Sequence, residues 1–422
     1  MKKIDIFKEI IRIMTNDSST KKDIKGKNPD LFLNEINEEM SDDEFYYLVR
    51  SYLASFGIIG HVAISKKELD LSFLRLKYYN GLLYVIDSDA ETNLLKGDQI
   101  TYIDGLSIYD FYLKHKLFFV QTNEERRYMD WSYFVKKSKQ ITICRNFKEV
   151  LVIYQPVSNE KKRILFESKW IENDIFYMRM DNFFEEDKIS QLYKECEQAL
   201  SSAKYLIIDV RHNQGGSDSL YFPLFKYALP EGKGFNDLNI VDDFDMEILY
   251  TPFNTEQRLI SFTEQLNDPA TSQETKDLIN NFKEELITNE EKGYVRYPSD
   301  ISSFLPELKG ISVSPKQIFL LSDVYCGSSG ENFVEMMKWM PKVTVVGRAT
   351  MGILDYSNCS SVEFADYILT YPTSRSLSID VGKGMTNKGV IPDIEIPWTQ
   401  KHLTEDIDLK YIIDLIKDKK GK

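Results

Sequence analysis

Two adjacent serines, Ser328 and Ser329, stand where a nucleophile could be placed. The apolar run from Gln317 to Asp323 is typical of a buried strand, and the apolar residues that follow Glu331 recur at helical spacing. The serines therefore lie on a predicted turn between a strand and a helix. Unpaired amides at a helix start favour negative charge on a hydroxyl or on an attacked carbonyl. The same pattern also fits a serine that only caps the helix.

A hydroxyl nucleophile needs a base, and the chain contains four histidines. His115 and His402 each neighbour a lysine, so both are predicted to lie on solvated surfaces. His61 lies within an apolar run, and His212 follows a predicted buried strand. Each of these two could be a packed residue rather than a base. Both therefore stay candidates on the residues alone.

A second turn with chemical potential runs from Asp209 to Gly216, directly after a strand predicted from Tyr205. Its adjacent glycines, Gly215 and Gly216, allow a sharp reversal and leave backbone amides unobstructed, as an oxyanion hole requires. A plain loop explains the turn equally well. The chain contains neither the phosphate loop of nucleotide-binding proteins nor the G-x-G-x-x-G fingerprint, so nucleotide binding has little support.

Length and charge narrow the class of protein. A chain of 422 residues is long enough for two or three domains, each with its own core. The net charge of -13 disfavours nucleic acid and anionic lipid, which need clustered Lys and Arg, so peptides or small molecules are the expected partners. No apolar run reaches the roughly 18 residues of a membrane span, and none is predicted.

Cysteine and histidine spacing bears on cofactors and compartment. The chain shows neither an H-E-x-x-H pattern nor a cluster of Cys and His, so no metal and no other cofactor is expected. Its four cysteines are widely spaced without a C-x-x-C pair, and its amphipathic start lacks the apolar core of a signal peptide. Both features predict reduced thiols and a cytoplasmic protein.

The elements that must position these residues fall into three predicted parts. Residues 1–65 read as helices, one of which starts with a capping box at Ser41. Residues 66–158 read as short strands with Gly-Asp and Asp-Gly turns. From 159 to 422 strands and helices alternate, which predicts βαβ units and a largely parallel sheet. A polar insertion at about 230–310 is more typical of a lid or an edge than of a spacer.

Four motifs occur in the order that one enzyme family shows. They are Asp209-Val210-Arg211-x-Asn213-x-Gly215-Gly216, Ser328-Ser329-Gly330-Glu331, Val346-Gly347-Arg348-Ala349-Thr350-Met351-Gly352 and Gly389-Val390-Ile391-Pro392-Asp393. In these motifs the chain resembles the C-terminal processing (tail-specific) serine peptidases, and more closely their tricorn-protease-core branch. The resemblance covers most of the chain. It implies an N-terminal helical part with a histidine, a PDZ-like module, which in PDZ domains binds peptide ends by strand addition, and a crotonase-like (ClpP/crotonase superfamily) α/β domain.

The resemblance also implies roles for single residues. Carried over by position, Ser328 is the nucleophile and His61 is the base, while His212 becomes a loop residue near the site. Gly215 or Gly216, together with the amide of Ser329, would then line the oxyanion hole.

Two departures from the family pattern concern the groups that support the nucleophile. Classical members use a lysine base shortly after the turn at Gly352, where this chain has Ile353, so a Ser-Lys pair is not expected. The tricorn-like branch has an acidic residue where this chain has Thr386. Asp355, just past the Gly352 turn, is therefore predicted as the substitute that orients His61.

The expected function is hydrolysis of peptide bonds through an acyl-enzyme on Ser328, by an endopeptidase or a carboxyl-end-processing peptidase. The alternative is a non-catalytic peptide- or small-ligand-binding protein on the same fold. A third interpretation makes Cys326 the nucleophile. The expected partners are peptide or protein substrates and no nucleic acid, and the assembly could be a homo-oligomer.

Overall fold

Three β-sheets and the helices packed on them make up the described part of the chain. The computed structural model describes residues 1–67, 73–89, 92–120, 123–156, 165–238, 240, 245–269, 271, 273–298, 307–312 and 315–420. The predicted boundary at 158 and parts of the predicted insertion at 230–310 lie outside these residues. None of the described helices is both long and apolar enough to cross a membrane.

The chain begins with helices, as its sequence predicts. They are α1 (Lys3–Asn16), α2 (Asp30–Leu33) and α3 (Asp42–Ala54). Helix α3 starts with the predicted capping box, in which the Ser41 hydroxyl accepts from the amide of Glu44 and the Glu44 carboxylate accepts from the amide of Ser41. A turn that carries His61 then leads into strand β1 (Ala63–Lys66).

A second group of strands forms what we call the module sheet. Its strands are β2 (Leu74–Tyr79), β3 (Leu82–Ser88), β4 (Gln99–Ile103), β5 (Leu106–Ser107), β6 (Ile141–Arg145) and β7 (Lys148–Val152), in the order β2-β3-β4-β6-β7 with β5 paired to β4. All of its pairs are antiparallel, and the predicted turn at Asp104 and Gly105 has positive φ at both residues. Helices α4 (Ile108–Lys114) and α5 (Tyr128–Lys137) belong to this part, and α5 packs on β2. The β-rich prediction is confirmed.

The third group forms what we call the parallel sheet, which places the two chemical turns. Its strands are β8 (Phe166–Glu172), β9 (Ile175–Met180), β10 (Tyr205–Asp209), β13 (Gln317–Ser322), β14 (Val343–Gly347) and β17 (Ile394–Glu395), in the order β17-β14-β13-β10-β9-β8. Its helices are α6 (Glu186–Ser202), α7 (Phe222–Ala228), α10 (Ser329–Lys338) and α11 (Ile407–Lys420). Only the β8–β9 pair is antiparallel, so the predicted parallel sheet is confirmed. Strands β10 and β13 are neighbours, and the turns that follow them meet at one edge.

A further sheet, which the sequence does not predict, we call the antiparallel sheet. It contains β1, β11 (Met246–Tyr250), β12 (Gly293–Tyr297), β15 (Tyr356–Phe364) and β16 (Tyr367–Ser376). The long strand β16 pairs with β15 on one side and with β1 and β11 on the other. Helices α8 (Pro252–Asn267) and α9 (Gln273–Asn289) connect β11 to β12. The polar insertion therefore supplies an edge of this sheet.

One hydrophobic cluster joins parts that the sequence suggests are separate. It contains side chains from α1 to α3, from the module sheet and from β15 and β16. Phe7, Tyr52, Trp131 and Tyr371, which are among its members, are almost completely buried. The strand that follows His61 is thus anchored in the same core as the module sheet. Short 3₁₀ turns complete the described elements, at Ser19–Lys22, Glu124–Arg126, Asp218–Leu220, Phe235–Asp237, Leu377–Val381 and Gln400–Leu403.

Candidate active site

The turn between β13 and α10 holds Ser328 in a rare backbone conformation. Its φ is 54° and its ψ is -132°, a region that residues with a side chain seldom adopt and that costs free energy to maintain. Ser328 is half-buried, whereas Gly327 and Ser329 beside it are buried. Its side chain makes no capping bond to α10. The interpretation of Ser328 as a simple helix cap is therefore wrong.

The glycine turn after β10 touches the serine turn. A Cβ atom on Gly215 would lie 2.6 Å from the Cβ of Ser328 and 2.9 Å from the backbone nitrogen of Ser329. A Cβ atom on Gly216 would lie 2.0 Å from the carbonyl oxygen of Phe183. Both positions also have positive φ, so only glycine fits at either one. The Ser329 hydroxyl donates to the Gly216 carbonyl at 2.6 Å, which ties the two turns together.

The amides of these turns differ in their availability. The Gly215 amide donates to Oδ1 of Asn213 at 2.9 Å. Within the described ranges, no acceptor is found for the amides of Gly216 and Ser329. These two N–H groups are therefore available to bind an oxyanion.

His61 stands on the turn between α3 and β1, after Gly60, whose φ of 67° reverses the chain. Its Nδ1 atom lies 2.6 Å from the carbonyl oxygen of Tyr356, the first residue of β15. A carbonyl oxygen can only accept, so Nδ1 donates its proton to it, and Nε2 of the neutral ring then carries the lone pair. Burial lowers the pKa of His61, against the opposing effect of the backbone at Tyr356 and Ile353.

The turns that carry His61 and Ser328 pack on one small apolar cluster. Ile59, two residues before His61, belongs to it together with Tyr325 and Ile353. The Cδ1 atom of Ile353 lies 3.2 Å from the place that a Cβ on Gly327 would occupy. Ile353, which stands where classical members of the resembling family have a lysine, thus packs next to the turn that carries Ser328.

Asp355, the predicted partner of His61, is bound elsewhere. Its Oδ2 atom accepts from the backbone nitrogen and from the hydroxyl of Thr386, each at 2.6 Å. No hydrogen bond joins its carboxyl group to the imidazole of His61 in the described part of the chain, and Nδ1 of His61 faces the Tyr356 carbonyl instead. The carboxyl group of Asp355 is therefore bound to Thr386.

Glu331 fixes the segment that we call the 350–354 loop. Its carboxylate is fully buried and accepts from the Thr350 hydroxyl and from the amides of Gly352 at 2.6 Å, Ile353 at 2.9 Å and Leu354 at 3.2 Å. Burial raises the pKa of Glu331, although all four donors act in the opposite direction. The sequence marks Glu331 only as a motif position, and its bonds to residues about 20 positions away leave no local signal.

Arg126 holds the other side of the same loop. This buried residue lies between the module sheet's β5 and β6, and its guanidinium donates to the carbonyls of Met351 at 3.0 Å, Thr350 at 2.6 Å and Lys388 at 2.7 Å. The 350–354 loop is thus bound through its amides by Glu331 and through its carbonyls by Arg126. Nothing in the sequence singles out Arg126 from the other charged residues around it.

His212 has a different environment from His61. Its Nδ1 atom lies 2.9 Å from Nη2 of Arg179, and its ring centroid is 5.8 Å from that of Tyr325, three residues before the nucleophile turn's Ser328. Burial and the nearby positive charges of Arg75, Arg179 and others lower its pKa well below the ordinary value. Such surroundings oppose the imidazolium that a general base must become.

The remaining candidates are excluded by their surroundings. Cys326 is completely buried, and burial raises its pKa well above that of an ordinary thiol, so it is not a ready nucleophile. The prediction of a solvated His402 is wrong, because its side chain is only 8% exposed and its Nε2 lies 3.2 Å from Asp408. His115 is half-buried, with its ring 4.5 Å from that of Phe111. Within the parts of the chain that the structure describes, no group of three or more potential metal ligands is found.

Comparison with known proteins adds a family and a fold. The model of peptidase family S41 matches residues 174–396. Mature CPAF complexed with lactacystin is similar over 98% of this chain and 97% of that chain, with 13% identity and a TM-score of 0.66. Mature CPAF alone is similar over 98% of this chain and 96% of that chain, with 13% identity and a TM-score of 0.65. The match with the tricorn protease covers 100% of this chain and 37% of the tricorn protease chain, with 14% identity and a TM-score of 0.47.

Proposed function

Because the chain belongs to peptidase family S41, and is thus a serine-type peptidase with a ClpP/crotonase-like α/β fold, we propose that it cleaves peptide bonds through an acyl-enzyme on Ser328. The observation that carries this proposal is the strained, half-buried Ser328 pressed against Gly215 at the carboxyl edge of the parallel sheet. A strained backbone conformation that the surroundings maintain is characteristic of functional sites.

His61 is the general base in this proposal. Its Nε2 atom takes the proton of the Ser328 hydroxyl as the oxygen attacks the peptide carbonyl, and it then gives this proton to the leaving amine. A water molecule attacks the resulting ester in the second half of the reaction, with Nε2 again accepting the proton. The bond from Nδ1–H to the Tyr356 carbonyl keeps the required tautomer and supports the transient positive charge of the ring.

The amides of Gly216 and Ser329 form the oxyanion hole in this proposal. Gly215, which the family pattern admits equally, is assigned a steric role, because its amide already donates to Asn213 and only a missing side chain lets the turn approach Ser328. One such donor stabilises the transition state by about 3 kcal/mol.

Asp355 acts through the backbone. Its carboxylate binds Thr386, and its own carbonyl accepts from the amide of Ser376 at 2.8 Å. These bonds fix the start of β15, where the Tyr356 carbonyl meets His61. We therefore assign Asp355 as a positioning residue for His61, in place of a direct partner.

The substrate class is a peptide or protein, cleaved internally or near its carboxyl end. Lactacystin, which mature CPAF binds in its solved complex, is a suitable first ligand to try at Ser328. If lactacystin prevents labelling of Ser328 by a fluorophosphonate, the two proteins share a site for this compound.

Hydrolysis of fluorogenic peptides by three variants tests the proposal. Ser328→Ala should reduce kcat by at least about 10³-fold, because no acyl-enzyme can form. Ser329→Ala keeps its backbone amide and should lose far less activity. Full activity of Ser328→Ala would refute the mechanism, and absence of activity in the wild-type protein on every peptide tried would favour the alternative of a ligand-binding protein.

A further inference from the structure

Helices α8 and α9 enclose a groove that no other part of the chain described by the structure covers. Its volume is about 460 Å³, and its apolar walls include Leu259, Ile260 and Ile287. Ile260 is 49% exposed and Ile287 is 60% exposed, so the groove opens to solvent. An open apolar groove between two helices is a site into which a third helix can pack.

The floor of this groove contains a polar group without a partner. Thr255 lines the groove, is only 3% exposed, and its hydroxyl oxygen has no hydrogen-bond partner among the described residues. A buried hydroxyl that lacks a partner costs free energy. The groove therefore combines apolar walls with one buried, unpartnered polar side chain next to them.

The charged residues that line the groove all have the same sign. They are Glu256, Glu264 and Glu290, and Glu256 and Glu264 are exposed on the rim formed by α8. An occupant with Lys or Arg beside an apolar stripe would match both the walls and the rim. We propose that the groove binds a basic amphipathic helical segment of the peptidase's protein substrates.

Helix α8 links the groove to β15, the strand that begins at Tyr356. On its other side, Nη2 of Arg258 donates to the Asn358 carbonyl at 2.7 Å and to the Thr373 hydroxyl at 3.2 Å. Asn358 lies in β15, two residues after Tyr356, whose carbonyl holds His61. A segment bound in the groove is thus held on an element attached to the site, and it raises the local concentration of the substrate there. Only this last step rests on the proposed peptidase activity.

Binding is measured first, on full-length Ser328→Ala, so that its result does not depend on catalysis. A fluorescent model helix with leucines on one face and lysines on the flanks should bind, and the same helix with glutamates in place of the lysines should bind much more weakly. The double variant Glu256→Lys, Glu264→Lys should weaken binding of the basic helix by at least about fivefold at low ionic strength. Ile260→Asp should weaken it as well, because it places a charge against the apolar face.

A matched control carries the same change of charge elsewhere. Glu186 and Glu195 are exposed residues of α6, and the double variant Glu186→Lys, Glu195→Lys should bind the basic helix as the parent does. Equal loss of binding in both double variants would overturn the proposal, since the groove would then not be the site. Equal binding of the basic and acidic helices would also overturn it, because the glutamates of the groove would then not select a basic occupant. So would unchanged binding in Ile260→Asp.

Hydrolysis then tests the link to substrates. The wild-type protein should show a lower KM for a peptide fused to the basic helix than for the peptide alone. The double variant Glu256→Lys, Glu264→Lys, with Ser328 intact, should lose only this difference. A KM that the helix does not change would overturn the role in substrate recognition. If neither peptide is cleaved, the proposed function fails while the binding result stands by itself.

Discussion

The imidazole of His61 is held in one tautomer by the Tyr356 carbonyl, and partial burial of the residue lowers its pKa below the ordinary value. A general base must be neutral to accept a proton, so a lowered pKa extends its activity to lower pH. We expect kcat/KM to rise with pH through an apparent pKa below about 6.5, and to be nearly constant from there to neutral pH. The pH dependence of kcat/KM for a small peptide measures this directly.

The two histidines give a matched pair for this prediction. His61→Ala should reduce kcat by at least about 10³-fold and remove the acidic limb of the profile. His212→Ala should keep that limb, since His212 lies among arginines and faces Arg179. A limb that disappears in His212→Ala and persists in His61→Ala would reverse the assignment.

The contact between the two turns depends on one missing methyl group. An alanine at Gly215 would place its Cβ 2.6 Å from the Cβ of Ser328, which backbone movement must relieve. We expect Gly215→Ala to lose at least about 10²-fold in kcat, because small displacements of a nucleophile have large effects on rate. Ser219→Ala, an exposed change in the same segment, should have little effect. Equal activity of both variants would contradict the assigned steric role.

At the scale of elements, the 350–354 loop is hydrogen-bonded both to α10, which belongs to the parallel sheet, and to the part of the chain that carries the module sheet. Glu331 binds its amides and Arg126 binds its carbonyls. Arg126→Ala leaves three carbonyl groups without their donor, and each such loss costs about 1 to 3 kcal/mol. We therefore expect a lower Tm and a kcat reduced by roughly tenfold or more, with Lys139→Ala, an exposed change in the same module, as the control. Unchanged kcat in Arg126→Ala would show that the loop keeps its position without the module.

The same elements show what the sequence could predict. Strands β9, β10, β13 and β14 and the two chemical turns follow from local apolar runs and from glycine and serine at the strand ends. The partner of His61 is 295 residues away in the chain, and those of Arg126 on the 350–354 loop are more than 220 residues away. Such pairings leave no local pattern. The antiparallel sheet has no local signature for the same reason, because β16 pairs with strands from distant segments.

At the scale of the whole molecule, one apolar cluster joins the N-terminal helices, the module sheet and the strands next to His61. Phe7 is fully buried in it and contacts Tyr52 with a ring distance of 5.3 Å. Phe7→Ala should lower the free energy of unfolding by about 3 to 5 kcal/mol, because it leaves a cavity in this core. Phe147→Ala, at a fully exposed site, should change it little. Chemical denaturation followed by circular dichroism gives both values, and similar stability of the two variants would contradict the shared core.

The covalent step on Ser328 is the central claim, and labelling by a fluorophosphonate with peptide mapping by mass spectrometry tests it most directly. We expect the wild-type protein to gain one label, on the peptide that contains Ser328, and His61→Ala to gain it far more slowly because the hydroxyl then lacks its base. A label on another residue, or no label on a protein that hydrolyses peptides, would contradict the account.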